Sequence, residues 1–194
     1  MRRRTFDILV SVGGLILAAV LVVGGLLLVW AHNYTHDEVS SQLAAQKIYF
    51  PPANSPAIAA PEFAPMKQYA GQQLTTGPQA KVYADSFIAN HLKEIGGGQT
   101  YAQLSSQLQT QPNNTQLAKT VQTMFQGETL RGLLLSSYAF WTLGSIAGWG
   151  ALAAFIAAGL LLILAVFGIV HSRRVSPSEE LLAGPAPQDV AATG

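Results

Sequence analysis

Two long stretches without a charged residue, 8–31 and 132–170, constrain this chain more than anything else in it. A bilayer's hydrocarbon core of about 30 Å is crossed by about 20 apolar residues of helix. Lipid offers no partner to a backbone N–H or C=O, so each stretch must close its own hydrogen bonds, as a helix does. Only 11% of the residues are charged, against about 25% in an ordinary soluble domain.

The first stretch reads as a span over residues 6–31, with Trp30 at the end where an aromatic ring favours the headgroup layer. Three arginines before an apolar run also open a secretory signal. However, a signal core is usually about 7–15 residues and no A-x-A cleavage site follows, so a retained helix is expected. The second stretch is roughly twice the length of one span, yet leaves almost no turn for two. Its first part, GLLLSSYAFWTLGSIAGWG, is dotted with Ser136, Ser137, Thr142 and Ser145; its second, ALAAFIAAGLLLILAVFGIV, is wholly apolar. The expected division is an interfacial amphipathic segment at 131–146 leading into a span at 147–170.

Charge placement argues for two spans over three. Arg2, Arg3 and Arg4 precede the first span, and Arg173 and Arg174 follow the second. Basic residues beside spans mark the cytoplasmic side, and only an even number of crossings puts both clusters there. The expected protein is therefore all-α and sits in the plasma membrane with both termini inside. Residues 1–5 form a basic N-terminus, 32–130 a small extracytoplasmic helical domain, and 171–194 a disordered tail, polar and proline-rich beyond Arg174. Gly13, Gly14 and Ala18 on one span, and Ala154, Ala158 and Gly159 on the other, offer small faces for close approach.

Between the spans, residues 32–50 continue the first helix, with Val39, Leu43 and Ile48 as its apolar stripe. FPPANSPAIAAPEFAP then predicts an extended connection, because its prolines suit no helix interior. TTGPQAKVYADSFIANHLKEIGGG predicts a helix with Pro78 in its first turn and Gly96–Gly98 as its stop. Tyr83, Phe87, Ile88, His91, Leu92 and Ile95 form its buried face. Thr100 and Gln103 match a capping box ahead of a helix carrying Tyr101, Leu104 and Leu108 inward. QPNN breaks the chain before a last helix with Leu117, Val121, Met124 and Phe125 on its apolar side, and Gly127 predicts a kink in it.

The chemistry-bearing residues are few. His32 and His36, in HNYTHDE just past the first span, share a helical face, and an i, i+4 histidine pair can hold zinc or iron when a third ligand closes the site. Glu62, His91 or Glu128 would have to supply it, since Asp37 and Glu38 lie too close in sequence. The competing reading is a polar collar of Trp30, His32 and Tyr34 at headgroup depth, and no bound cofactor is expected. His91, on an apolar face, reads as a core histidine. Gly96–Gly98 lacks the lysine and spacing of a phosphate loop, and no G-x-S-x-G hydrolase elbow occurs. Absence of cysteine removes thiolate metal sites and cysteine nucleophiles. The net charge of +1 gives no basic stripe for nucleic acid. Asn33-Tyr34-Thr35 and Asn113-Asn114-Thr115 match the glycosylation pattern.

MRRRTFD opening a span, QLAAQKIYFPP, YAGQQLTTGPQA, FIANHLKEIGGGQTYAQLS, GETLRGLLLSSYAFWTLG and HSRRVSP together resemble a family of two-span membrane proteins from actinobacteria, over nearly the whole chain. The family has no established activity. Its members often carry the label of aromatic ring-opening dioxygenase, a chemistry that needs ligated iron and an aromatic pocket. Here only the His32/His36 pair speaks to it, so the label is not carried over. The expected function is that of a non-enzymatic accessory or scaffolding component of a larger membrane assembly. It would work through a membrane-protein partner or a second copy, with exposed apolar residues of the proline-rich segment and Tyr138, Phe140 and Trp141 as contacts. The alternatives are a metal-dependent enzyme on His32 and His36, or a ligand-binding sensor.

Overall fold

The computed structural model describes residues 3–174, so the expectations for the first two residues and for 175–194 lie outside the described residues. Within it the chain is helical, and its one β-type pairing is an isolated bridge between Tyr49 and Gln73. Two helices are long and apolar enough to cross a membrane: α1, Arg3–Ala45, and α5, Thr115–Arg174. Between them lie two 3-10 segments, Pro56–Ile58 and Pro61–Tyr69. Then come α2, Gly77–Val82, a π-helical stretch, Tyr83–Ile88, α3, Ala89–Ile95, and α4, Tyr101–Thr110. The chain divides into two compact units, Met1–Val29 with Gly148–Gly194, and Trp30–Ala147.

In the first unit, α1 and α5 run antiparallel. Gly14 faces Ala165, Phe155 packs on Gly25, and Leu28 meets Gly150. Buried positions recur every seven residues: Ser11, Ala18 and Gly25 on α1, and Ala151, Ala158, Ala165 and Ser172 on α5. A seven-residue repeat keeps one seam continuous along two supercoiled helices, and small side chains let the backbones come close. A Cβ on Gly25 would stand 2.8 Å from the Phe155 ring, which would have to shift to admit it. The large apolar residues, Ile16 and Leu164 among them, point outward, the arrangement a lipid-facing helix needs. Of the expected small faces, Gly14, Ala18 and Ala158 lie in the seam, whereas a Cβ on Gly13 or Gly159 would meet nothing within 4 Å. Near the helix ends the pair leaves a groove of about 210 Å³ lined by Phe6, Val10, Leu161 and Leu164, with Asp7 and Ser11 as its polar members.

The second unit has a core of Leu43, Phe50, Ile58, Met66, Leu74, Met124 and Leu134. Here α1 stops at Ala45, earlier than expected. Lys47 takes a left-handed conformation (φ 54°), and the backbone of Ile48 and Phe50 bonds instead to Leu74 and Gln72. Pro51 explains part of this, since a residue before proline is pushed to extended backbone. The proline-rich segment is not extended, as its prolines implied. Pro56 and Pro61 each open a 3-10 segment, where a fixed φ and a missing N–H cost little. Its apolar residues are not exposed contacts either: Ile58, Phe63 and Met66 are buried in the unit's own core.

The helical rod of α2, the π stretch and α3 starts at a capping box, Thr76 with Gln79. Buried Gln79 accepts from the Thr75 and Thr76 N–H groups and donates to Gln72. The π stretch widens the turn, and the buried line becomes Ala80, Ala84, Ile88 and Leu92, in steps of four. Tyr83, Phe87 and His91 are half-buried beside it, while Ile95 falls outside the register and is exposed. Gly97 and Gly98 (φ 58° and 80°) turn the chain as expected of a stop signal. The Thr100–Gln103 capping box is present, with Gln103 Oε1 2.8 Å from the Thr100 N–H. Asn114 caps α5 by accepting from the Leu117 N–H at 3.0 Å. Gly127 produces no break: α5 passes through it unbroken, and Leu92 occupies the space its side chain would fill. Phe125, placed inward by periodicity, is exposed beside the Tyr101 ring.

The seam makes a paired prediction. Ala158→Leu forces bulk between α1 and α5 and lowers stability to unfolding in mild detergent by about 1–3 kcal/mol. Gly159→Leu, one position on, leaves it within about 0.5 kcal/mol. Equal effects at the two positions would contradict the seam.

Candidate functional site

The residues singled out by sequence meet where α1 and α5 pass each other inside the second unit. Successive turns of α1 carry His32 and His36, whose rings are 4.2 Å apart. His32 Nδ1–H donates to the Gly144 carbonyl at 2.8 Å. His36 Nε2–H is 3.1 Å from the Trp141 carbonyl and 3.2 Å from Ser145 Oγ, and the Ser145 hydroxyl itself donates to the Trp141 carbonyl at 3.0 Å. With carbonyls as acceptors, the proton of each neutral ring must sit on the bonded nitrogen. The His36 ring also stacks on Trp141, with centroids 3.8 Å apart and planes 14° apart.

This arrangement depends on a residue the sequence reading passed over. Gly144 is buried, and a Cβ on it would run into Thr35 Oγ1 and the His36 ring. Its missing side chain is what lets the two histidines reach the α5 backbone. Trp141 is held from the other side as well, because it occupies the space a side chain on Gly77 would need. The tryptophan is thus a half-buried wedge among α1, α2 and α5. Tyr138 is half-buried too, with the Lys81 ammonium 5.4 Å from its ring centre. Phe140 is 58% exposed. Trp30 and Tyr34, stacked at 5.5 Å, are exposed on α1.

Among the described residues, no group of three or more His, Asp or Glu side chains is placed to hold a metal ion. The hydrogen bonds that tie α1 to α5 use one nitrogen of each ring, Nδ1 of His32 and Nε2 of His36. His91 donates through Nδ1 to the Phe87 carbonyl at 2.7 Å and packs against the Phe87 and Phe63 rings. Two open grooves lie on this unit. One, of about 350 Å³, is bordered by Tyr34, Thr35, Glu38, Val39, Gln42 and Phe140. The other, of about 520 Å³, is bordered by Glu62, Asn90, Lys93, Glu94 and the Gly97–Gly98 turn.

The strongest electrostatic feature joins the π stretch to α5. Asp85 accepts from Lys81 Nζ at 2.6 Å and from Arg131 Nη2 at 3.3 Å, and Arg131 also reaches Glu128 at 3.5 Å. The Lys81 hydrogen bond, aided by the charges of Lys81 and Arg131, holds the Asp85 carboxyl below the ordinary carboxylate range. The same hydrogen bond raises Lys81 above the ordinary lysine range. Burial alone pushes Tyr83 upward.

No family model matches the chain, and neither a curated protein nor a solved structure matches it.

Gly144→Ala is expected to separate α1 from α5 and cost about 1–3 kcal/mol, whereas Gly132→Ala, where a Cβ meets nothing within 4 Å, does no such harm. His36→Ala, losing one hydrogen bond and one ring stack, costs about 1–2 kcal/mol. Thermal unfolding in mild detergent reads all three. For Asp85, the depressed carboxyl adds stability that is whole above the ordinary carboxylate range and fades as acid carries the pH below it, through the lowered pKa. Lys81 adds stability that is whole below the ordinary lysine range and fades as base carries the pH above it. Both side chains are more than a third exposed, so solvent screening keeps the effect small. Asp85→Asn costs less than about 1 kcal/mol at neutral pH, and the difference from the parent chain disappears in strong acid. A cost that persists there would assign Asp85 a role other than ion pairing.

Proposed function

We propose that this chain, as a member of the two-span actinobacterial family it resembles, is a plasma-membrane protein with both termini inside. In this reading its helical domain lies outside and acts as a non-enzymatic accessory or scaffolding component of a larger membrane assembly. One observation carries the proposal. The polar groups with most chemical promise, His32, His36 and Ser145, are engaged in tying α1 to α5. The unit is built as a braced body, with Trp141 as its wedge. Both grooves on it are open, and large apolar side chains such as Phe140 remain on its surface. Basic residues at the start of α1 and the end of α5 support the inside placement of both termini.

The test is a quantitative pull-down from native membranes in a mild detergent, through a tag after Gly194, against an unrelated two-span control. A co-purifying membrane protein in stoichiometric amount is expected. A normally expressed chain that is monomeric, with no reproducible neighbour, would overturn the proposal. Metal analysis of the same preparation tests the enzyme alternative: a full equivalent of metal lost in the His32→Ala/His36→Ala variant would replace the accessory reading with it.

A further inference from the structure

We propose that the groove bordered by Tyr34, Thr35, Glu38, Val39, Gln42 and Phe140 receives the ammonium group of a membrane lipid, one whose headgroup ends in a primary amine as phosphatidylethanolamine does. The inference rests on the two-span reading above, which sets the groove beside the bilayer. Its lining names the chemistry. Tyr34, Glu38 and Gln42 stand four residues apart on α1 and so share one face of that helix. Phe140 borders the groove from α5. Glu38 Oε1 accepts from Gln42 Nε2 at 2.6 Å, a bond that uses one of the carboxylate's two oxygens. The Thr35 hydroxyl donates to the Ala31 carbonyl at 2.8 Å. Both neighbours thus direct a donor elsewhere or at one oxygen, and the carboxylate keeps acceptor sites to fill. A carboxylate beside aromatic rings is a setting that draws an organic cation, the charge toward the oxygen and the body toward the rings.

The charge balance and the depth point to the occupant. No Lys or Arg lies between Arg4 and Lys47, or between Arg131 and Arg173. Lys81 and Arg131 are engaged with Asp85, and Arg131 also with Glu128. The two helices that form the groove therefore supply no lysine or arginine to Glu38. At an exposed site, an ion pair and a cation–π contact each favour a cation by about fivefold at most. Holding a free amine from millimolar solution takes about a thousandfold. A lipid headgroup needs no such capture, because the bilayer already holds it at high local concentration, and a modest preference over its neighbours is enough. Trp30 marks the headgroup layer, and Tyr34 and Glu38 follow it along α1 by about 6 and 12 Å. That places the groove at the outer rim of a layer about 5–8 Å deep, where the ammonium of such a lipid lies outside its phosphate. Trp30, stacked on Tyr34 at 5.5 Å, brings an indole N–H on the inner side, a donor suited to that phosphate.

The test places the full chain in vesicles of phosphatidylethanolamine and phosphatidylglycerol in equal parts and treats them with a carbodiimide, which joins a carboxylate to an amine in contact with it. Mass spectrometry of the peptides then compares lipid attached to Glu38 with lipid attached to Asp37, the exposed carboxylate next to it that does not border the groove. The expected yield at Glu38 exceeds that at Asp37 by about fivefold. Phe140→Ala, at an exposed side chain, is expected to lower the excess by about threefold without changing helical content. Equal yields at the two carboxylates, or an excess that Phe140→Ala leaves untouched, overturn the inference. A second arm uses vesicles of phosphatidylglycerol alone with millimolar ethanolamine in the buffer. The same excess of ethanolamine on Glu38 there overturns the lipid as the source while leaving an ammonium site. In native membranes, a crosslink from Glu38 to a protein lysine in place of lipid overturns the lipid and leaves the accessory reading standing. A chain that washes off the vesicles in alkali fails the two-span reading itself, whereas one that stays and shows no excess at Glu38 fails this inference alone.

Discussion

Everything in this molecule depends on the close antiparallel packing of α1 against α5. A helix in lipid satisfies its backbone internally, so nothing about crossing a bilayer requires two spans to touch. What draws them together is shape. Ser11, Ala18 and Gly25 meet Ala151, Ala158, Ala165 and Ser172 along a seam with no large side chain at its buried positions, except where Phe155 lies over Gly25. In the helical unit the same two helices meet again, with Gly144 against Thr35 and the His36 ring. There the contact changes character, from small apolar residues to the hydrogen bonds of His32 and His36 and the Trp141 stack.

That change of character follows the change of composition along α1. Among lipid tails, apolar burial offers no gain over leaving a side chain in the hydrocarbon, and close packing must hold helices together. Past Trp30 the chain turns polar, and hydrogen bonds from half-buried histidines to carbonyls become useful. The histidines thus act as a latch between helices, and the rest of the unit is assembled on it. Trp141 is gripped by His36 on one side and Gly77 on the other. Gly77 opens the rod that carries Leu92, which in turn fills the space beside Gly127 on α5. Gly77, Gly127 and Gly144 all serve as places where something else must sit.

Much of the local structure was legible in the residues. The two apolar helices, the capping box at Thr100, the glycine stop at Gly96–Gly98 and the break at QPNN all rest on short-range rules and appear as read. The readings that failed concern prolines, whose effect depends on a partner. Pro56 and Pro61 start 3-10 turns because Ile58, Phe63 and Met66 have a core to enter. Ile95 was misplaced because the π stretch shifts the register of its helix, and periodicity counted at 3.6 residues per turn does not foresee it. The seam itself left a trace, a small residue at every seventh position from Gly144 to Ser172, which a search for heptads would have found.

By itself, then, the sequence determined that this chain is helical, that two of its helices suit a membrane, and where most helices begin and end. These properties follow from hydropathy and from hydrogen bonds between residues three or four apart. Only the tertiary structure decided which atoms the histidines of HNYTHDE meet. Whether two histidines tie one helix to another depends on which atoms lie within about 3 Å of their nitrogens. Those atoms, the carbonyls of Trp141 and Gly144 and the hydroxyl of Ser145, are more than a hundred residues away along the chain.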